Sequence, residues 1–316
     1  MPPTSRSRLR RALRVLGIGV ALLVVFLLSL VRSDIPQTEI AAKYGGPTSK
    51  FATIEGMSVH YRDEGSGPPL VLIHGSSSSL HTWDGWVTRL SARRRIVRLD
   101  LPGYGLTGPA PDRIYSAARC ARVVVALLDR LAIDRADVAG NSFGGRIAAT
   151  IALEHPTRVS HLVLVDAAGL SGQKPPAIFA MARTPVVGRL LRWVTPRFLV
   201  RKNVVEVYAD PSLVTDALVD RYYELTRREG NRQATLDRFT APADPSLDDR
   251  LGEIRVPVLI EWGERDPWIP LPFAQRWMDG VRGSKLVTYA NAGHVPMEEI
   301  PEVTARDAEA FLSAPE

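Results

Sequence analysis

The segment Gly140-Asn141-Ser142-Phe143-Gly144-Gly145 decides how the chain is read. It follows a short strand expected at 136–139 and opens a stretch of helical spacing over 144–154, which stops at His155-Pro156. A short apolar run bounded by turn residues suits a strand buried on both faces. A serine on a tight strand-to-helix turn projects its hydroxyl from the carboxyl edge of a sheet. Small residues two before and two after it relieve the crowding of that turn. The helix N-terminus behind the serine favours negative charge developing beside it.

Working outward, strand and helix signals alternate. Residues 51–55 and 58–62 alternate around Gly56 as a hairpin does. Short apolar runs at 70–73 and 96–99 each lead into glycine-containing loops, and 116–131 carries helical spacing. A strand at 162–165 follows the central helix, and the alternation resumes with strands at 256–262 and 285–289 and helices around 273–278 and 303–312. Such alternation with short connections predicts an α/β fold with a mostly parallel, doubly wound sheet. Between 170 and 250 the pattern breaks into helical stretches (178–182, 187–194, 213–229) punctuated by seven prolines. The domains read as a core over 51–169 and 251–316, interrupted by a helical lid at 170–250.

The N-terminal fifty residues read differently. The chain of 316 residues has a formal charge of +6, but five arginines and no acid fall in residues 1–14. Beyond them the basic excess is a single charge, so a polyanion-binding body is not expected and no nucleic-acid partner is assigned. Run 15–31 has no charged side chain and only Ser29 as a polar one. At 1.5 Å per residue it extends roughly 25 Å, which predicts a single-pass transmembrane helix. The basic cluster at 1–14 would stay cytoplasmic and the body would lie on the other side, periplasmic in a bacterium. A cleaved secretory signal is the alternative. Residues 32–50, with Pro36 and Gly45-Gly46-Pro47, read as a linker. The single Cys120, at a helical position, reads as a buried small hydrophobe, and Arg93-Arg94-Arg95 as a solvated face.

A serine hydroxyl needs a base, and the base needs an orienting acid. Of six histidines, only His294 lies in a loop after a late strand, within Asn291-Ala292-Gly293-His294-Val295-Pro296; His60, His74, His81, His155 and His161 do not. Asp266, in Gly263-Glu264-Arg265-Asp266-Pro267, follows the preceding strand and is the expected acid, with Asp166 and Glu264 as competitors. Asp100 reads as structural, fixing the loop after its strand. The chain order Ser142, Asp266, His294 suits a sheet whose parallel strands bring all three loops to one edge. Charge on a tetrahedral oxygen calls for preplaced donors. The backbone N–H of Phe143 and that of Ser76, in His74-Gly75-Ser76-Ser77-Ser78-Ser79, are the candidates, with Ser77 as the alternative to Ser76.

Together these residues resemble the α/β-hydrolase family in its lid-bearing branch, over about residues 50–312. The resemblance implies an eight-stranded, mostly parallel sheet, Ser142 as nucleophile, Asp266 as acid, His294 as base, and oxyanion donors at Ser76 and Phe143. It implies a serine hydrolase acting through an acyl-enzyme, with the ester of a small apolar or lipid-like molecule as the expected substrate. Asn141 before the nucleophile is similar to the carbon–carbon bond hydrolases of aromatic degradation, which makes cleavage of a vinylogous diketone the alternative. Where those usually carry Trp after the histidine, this chain has Val295. From another class, a catalytically silent binding domain could keep the same fold. No His-Glu-x-x-His, Cys/His cluster or nucleotide-binding Gly-x-Gly-x-x-Gly turn occurs, so no metal or cofactor is expected. Oligomeric state stays open.

Overall fold

The computed structural model describes residues 5–174, 177–184, 188, 190 and 192–314. Eight strands form one sheet in the order β1-β2-β4-β3-β5-β6-β7-β8. They are β1 (Ser49–Ile54), β2 (Met57–Glu64), β3 (Pro69–Ile73), β4 (Arg95–Leu99), β5 (Ala136–Asn141), β6 (Val159–Val165), β7 (Val258–Gly263) and β8 (Lys285–Tyr289). β2 runs antiparallel to both β1 and β4, and every pairing from β4 to β8 is parallel. The β1–β2 hairpin closes on Glu55 and Gly56, both with positive φ (47° and 79°), the twist that a two-residue hairpin loop needs.

The central strands are buried on both faces, and their alternate residues enter two different cores. Leu70, Leu72, Ala139 and Val163 pack with Trp83 and Trp86. Val71, Ile73, Val138, Leu162 and Leu164 pack against the other layer of helices. That layer includes α4 (Ala117–Arg130) and α5 (Phe143–Glu154). Ser116 caps α4 by accepting the Arg119 N–H, and Cys120, Val123, Val124, Leu127 and Leu128 form its buried face. Opposite them lie α3 (Asp84–Leu90) and the closing helix α12 (Pro301–Leu312), with α10 (Pro272–Gly280) and α11 (Pro296–Glu299) between them in sequence.

Within the insertion, the described helices are α6 (Ala177–Ala182), α7 (Arg197–Val207), α8 (Asp216–Thr226) and α9 (Asn231–Thr240). Residues 187, 189 and 191 of the helical stretch expected at 187–194 lie outside the described residues.

Three readings need correction. Residues 32–50 are not a bare linker: they hold α2 (Gln37–Tyr44), and β1 already begins at Ser49. The segment is stitched to the insertion. Val31 bridges Val194, the Ile35 N–H donates to Arg227 O at 2.7 Å, and the Glu229 N–H donates back to Ile35 O at 2.9 Å. Asp34 pairs with Arg232 at 2.7 Å, and Lys43 with Glu224 at 2.6 Å. Ile40 fills a small separate core with Leu106 and Leu225.

Nor is Arg93-Arg94-Arg95 uniformly a solvated face. The Arg94 side chain is buried and pairs with Asp137 at 2.6 Å and with Glu309. The transmembrane span expected at 15–31 is likewise not supported. Helix α1 runs Ser5–Leu30, yet among the described residues no helix is long and apolar enough to cross a membrane. Side chains in the run are described from Val15 only to Phe26, about 18 Å of helix against the roughly 30 Å of a hydrocarbon core. Those side chains stand exposed, Phe26 among them at 57%.

Candidate active site

Ser142 sits between β5 and α5 with φ 54° and ψ −118°. A non-glycine residue there costs of order 1–3 kcal/mol and persists only where its surroundings impose it. They do: the Ser142 N–H donates to Val165 O at 3.0 Å, and its carbonyl accepts the Arg146 and Ala168 N–H groups at 3.1 and 2.9 Å. The flanking glycines are obligatory for space. A Cβ on Gly140 would fall 2.2 Å from Gly144 O, and one on Gly144 would fall 2.2 Å from Ile73 O.

The carboxyl ends of β7 and β8 bring the other two residues to the same edge. His294 Nδ1 lies 2.6 Å from Asp266 Oδ2, with both side chains almost fully buried. Asp266 Oδ1 accepts the Trp268 and Ile269 N–H groups at 2.7 and 3.0 Å, which fixes the carboxylate plane. With both oxygens engaged, Asp266 is oriented towards the imidazole. Ser142 and His294 line the same two cavities. Ser76 lines both as well, and Phe143 lines the second. Ser77, the alternative donor, has φ 59° and lines the first cavity.

The competing acids are placed elsewhere. Glu264 turns to Thr288, whose hydroxyl donates to it at 2.7 Å. Asp166 lies behind Asp266, fully buried, with Oδ1 accepting the Gly263 N–H at 3.0 Å. Burial first, then the neighbouring Asp266, raises its carboxyl well above the usual carboxylate range. It lies behind Asp266 and is not the residue against the imidazole. Ligand-type atoms of Asp166, Asp266 and His294 lie within 4.8 Å of one another, but the short Nδ1–Oδ2 contact is that of an orienting pair.

His60, His74, His81 and His161 bond into the scaffold through their rings. His74 Nδ1–H donates to Gly75 O at 2.7 Å, and its Nε2 accepts the Leu101 N–H. His161 pairs with Asp137 at 2.8 Å. Asp100 accepts the Leu80 and Leu106 N–H groups, both at 2.8 Å, and fixes its loop as expected. It also holds His60 at 2.7 Å, whose other nitrogen lies 2.6 Å from Ser49 Oγ. That second Ser–His–Asp row lines neither cavity beside Ser142.

Three further residues hold the loops of the site, and two of them, Glu299 and Trp268, were not legible in the sequence. The Asn141 amide donates to Val165 O at 3.2 Å and to His294 O at 3.0 Å, tying the serine turn to the histidine loop. Glu299 accepts the Gly293 and Ala209 N–H groups, both at 2.7 Å, so one carboxylate fastens the histidine loop and the lid. Trp268 lies against the His294 ring, centroids 5.3 Å apart. Only Asn141, inside the motif, gave any signal.

A strained serine at a strand-to-helix turn, over a parallel sheet that also delivers an Asp–His pair, defines the class of lid-bearing α/β hydrolases. Residues 70–308 match the alpha/beta hydrolase family, and the chain belongs to it. It is 32% identical over 250 residues to the 2-hydroxy-6-oxo-2,4-heptadienoate hydrolase of Pseudomonas putida, covering 76% of this chain and 87% of that one. A solved meta-cleavage product hydrolase from Pseudomonas fluorescens superimposes with TM-score 0.74 at 26% identity, over 83% and 97% of the two chains. A membrane phospholipase A superimposes with TM-score 0.71 at 25% identity, over 97% and 98%.

Proposed function

We propose that the protein is a serine hydrolase that cleaves a bond to a carbonyl carbon through an acyl-enzyme. One observation carries the reading: Ser142, held on its strained turn, shares its cavities with His294, and Asp266 grips the far nitrogen of that imidazole. Ser142 Oγ adds to the carbonyl carbon as His294 takes its proton. The oxyanion rests on the Ser76 and Phe143 N–H groups. Collapse breaks the bond to the leaving group, which departs with the electron pair and receives the proton from His294. Water then gives its proton to His294 and its hydroxide to the acyl carbon, releasing the acid and restoring Ser142.

The bond broken is carbon–carbon, in a vinylogous diketone. The names of the relatives and the Asn141 before the nucleophile support this reading better than an ester. A second reading, hydrolysis of an ester with an apolar acyl chain, is favoured by the first cavity. It has a volume of about 150 Å³ and is walled by Leu199, Val200, Val204, Val207, Leu236 and Phe239. The Arg232 side chain there is already paired with Asp34. The exposed apolar face of α1 and the likeness to a membrane phospholipase over nearly the whole chain belong to this second reading, with α1 lying on a lipid surface.

A fluorophosphonate is expected to label the protein at Ser142 and not Ser142→Ala, whose kcat falls by about 10⁴-fold or more. Normal turnover by Ser142→Ala would sink the mechanism. Parallel assays with a dienone carboxylate and with aryl and lipid esters decide between the two bonds. Retention in carbonate-washed membranes tests the placement of α1.

A further inference from the structure

Residues 31–44 lie ahead of the region, 70–308, that matches the family, yet one of them holds part of the wall of the smaller cavity. Helix α9 lines that cavity with Arg232, Thr235, Leu236 and Phe239, the i, i+3, i+4, i+7 spacing of a single helix face. Phe239 also borders the larger cavity beside Ser142. Arg232 stands seven residues earlier, about 10 Å along the helix axis. Among the described residues lining the smaller cavity it is the only side chain with a permanent charge, and no carboxylate lines it.

A guanidinium without a counter-charge would be costly in such a wall, because the surrounding side chains cannot replace water. Here the counter-charge comes from the N-terminal segment. The Arg232 Nε–H donates to Asp34 Oδ1 at 2.8 Å, and Nη2 lies 2.7 Å from the same oxygen. Arg232 also donates to the carbonyls of Trp193 and Arg32, at 3.2 and 2.7 Å. The second Asp34 oxygen accepts the Gly230 N–H at 3.2 Å, at the residue that caps the N-terminus of α9. Asp34 therefore fixes the first turn of α9 and balances its one cavity-lining cation. The Arg232 side chain is only 4% exposed. The two backbone carbonyls supply dipoles but no charge, so without the Asp34 carboxylate the guanidinium would stay buried and unbalanced.

We propose that Asp34 sets the specificity of the smaller cavity: by neutralising Arg232 it makes the cavity a site for an uncharged acyl chain. The proposal rests on the serine hydrolase reading and adds the class of acyl group that Ser142 receives. Asp34 acts through Arg232, which makes it a positioning residue. The segment 31–44 then belongs to the substrate site as well as to the scaffold.

The test uses alkyl fluorophosphonates, whose chain stands for the acyl chain, with six, eight or ten carbons and either a methyl or a carboxylate end. The measured quantity is the rate of labelling by the carboxylate-ended probe relative to the methyl-ended one of equal length. The wild type is expected to favour the methyl end by about tenfold or more, since a carboxylate would lose its water beside an ion pair that is already satisfied. In Asp34→Asn the ratio shifts at least about tenfold towards the carboxylate end for one or more lengths, as the freed guanidinium takes the new anion. Asp34→Ser, which keeps an acceptor for the Gly230 N–H without the charge, gives the same shift through a different side chain. Arg232→Gln added to Asp34→Asn returns the ratio to the wild-type value or below it. A gain of this kind cannot come from a damaged fold. An unmoved ratio in both Asp34 variants overturns the proposal, as does a shift that survives Arg232→Gln or a wild-type preference for the carboxylate end. Labelling with an unmoved ratio removes the role of Asp34 alone, while a wild type that no probe labels removes the serine mechanism beneath it.

Discussion

Asp166 and Asp266 are neighbours, with ligand-type oxygens within 4.8 Å, yet only Asp266 meets the imidazole. Asp266 accepts two backbone N–H groups and faces the imidazole; Asp166 accepts one, and its second oxygen is buried without a hydrogen-bond partner. Burial and the neighbouring Asp266 both disfavour a charge on Asp166. Asp266→Asn is expected to lower kcat by about 10⁴-fold, since the amide cannot hold the required tautomer. Asp166→Asn can still accept from the Gly263 N–H and leaves the Asp266–His294 contact in place, so its loss stays below about tenfold. Equal losses in the two variants would make Asp166 the working acid. The raised pKa of Asp166 also sets a pH dependence. The unfolded chain ionises this carboxyl near pH 4, the folded chain well above that. The stability it contributes is complete below about pH 4 and is lost as pH rises through the folded value. Thermal melts of Asp166→Asn should lack this loss. Ser142, Asp266 and His294 were legible because each stands in a short motif just after a strand. Glu299 and Trp268 were not: neither stands in a motif, and only the fold brings them to the histidine loop.

At the scale of elements, the strap at 31–44 is the largest departure from the sequence reading. Its attachments are a two-way backbone exchange at Ile35, scattered ion pairs and one buried side chain, Ile40. None of these has a period, so a segment rich in turn residues read as a linker. Helix α3 escaped for a related reason, since it is only seven residues long. The strands were easier, because burial on both faces writes a continuous apolar run. β6 nonetheless starts at Val159, three residues earlier than the run suggests, because Ser160 and His161 lie half-buried at its start. Ile40→Ala is expected to cost about 2–4 kcal/mol if its cavity does not collapse. The sharper readout is local: amide exchange should speed up in α8 and α9 and stay unchanged in β5 and β6. Uniform acceleration would show that the strap does not act on the lid.

The whole molecule is closed by a few buried charges. Arg94, on the loop into β4, reaches Asp137 at the start of β5 and Glu309 on α12, and Asp137 in turn holds His161 on β6. This network joins the middle of the sheet to the last helix of the chain. Arg94→Met would leave two carboxylates facing each other without their cation, at an expected cost of 3–5 kcal/mol, about what breaking a buried pair costs, measurable by urea unfolding. A change below 1 kcal/mol would show that solvent reaches the site. Cys120 has a different use. It is fully buried under α4, and burial pushes its thiol up to about 12. Maleimides and other thiol reagents should therefore pass the native protein by, so that a cysteine introduced at an exposed lid position such as Ala243 becomes the one reactive handle. The native sequence is in this sense already a background for single-site fluorophores or spin labels, and whether the 170–250 insertion moves relative to Ser142 can be tested without first removing a cysteine.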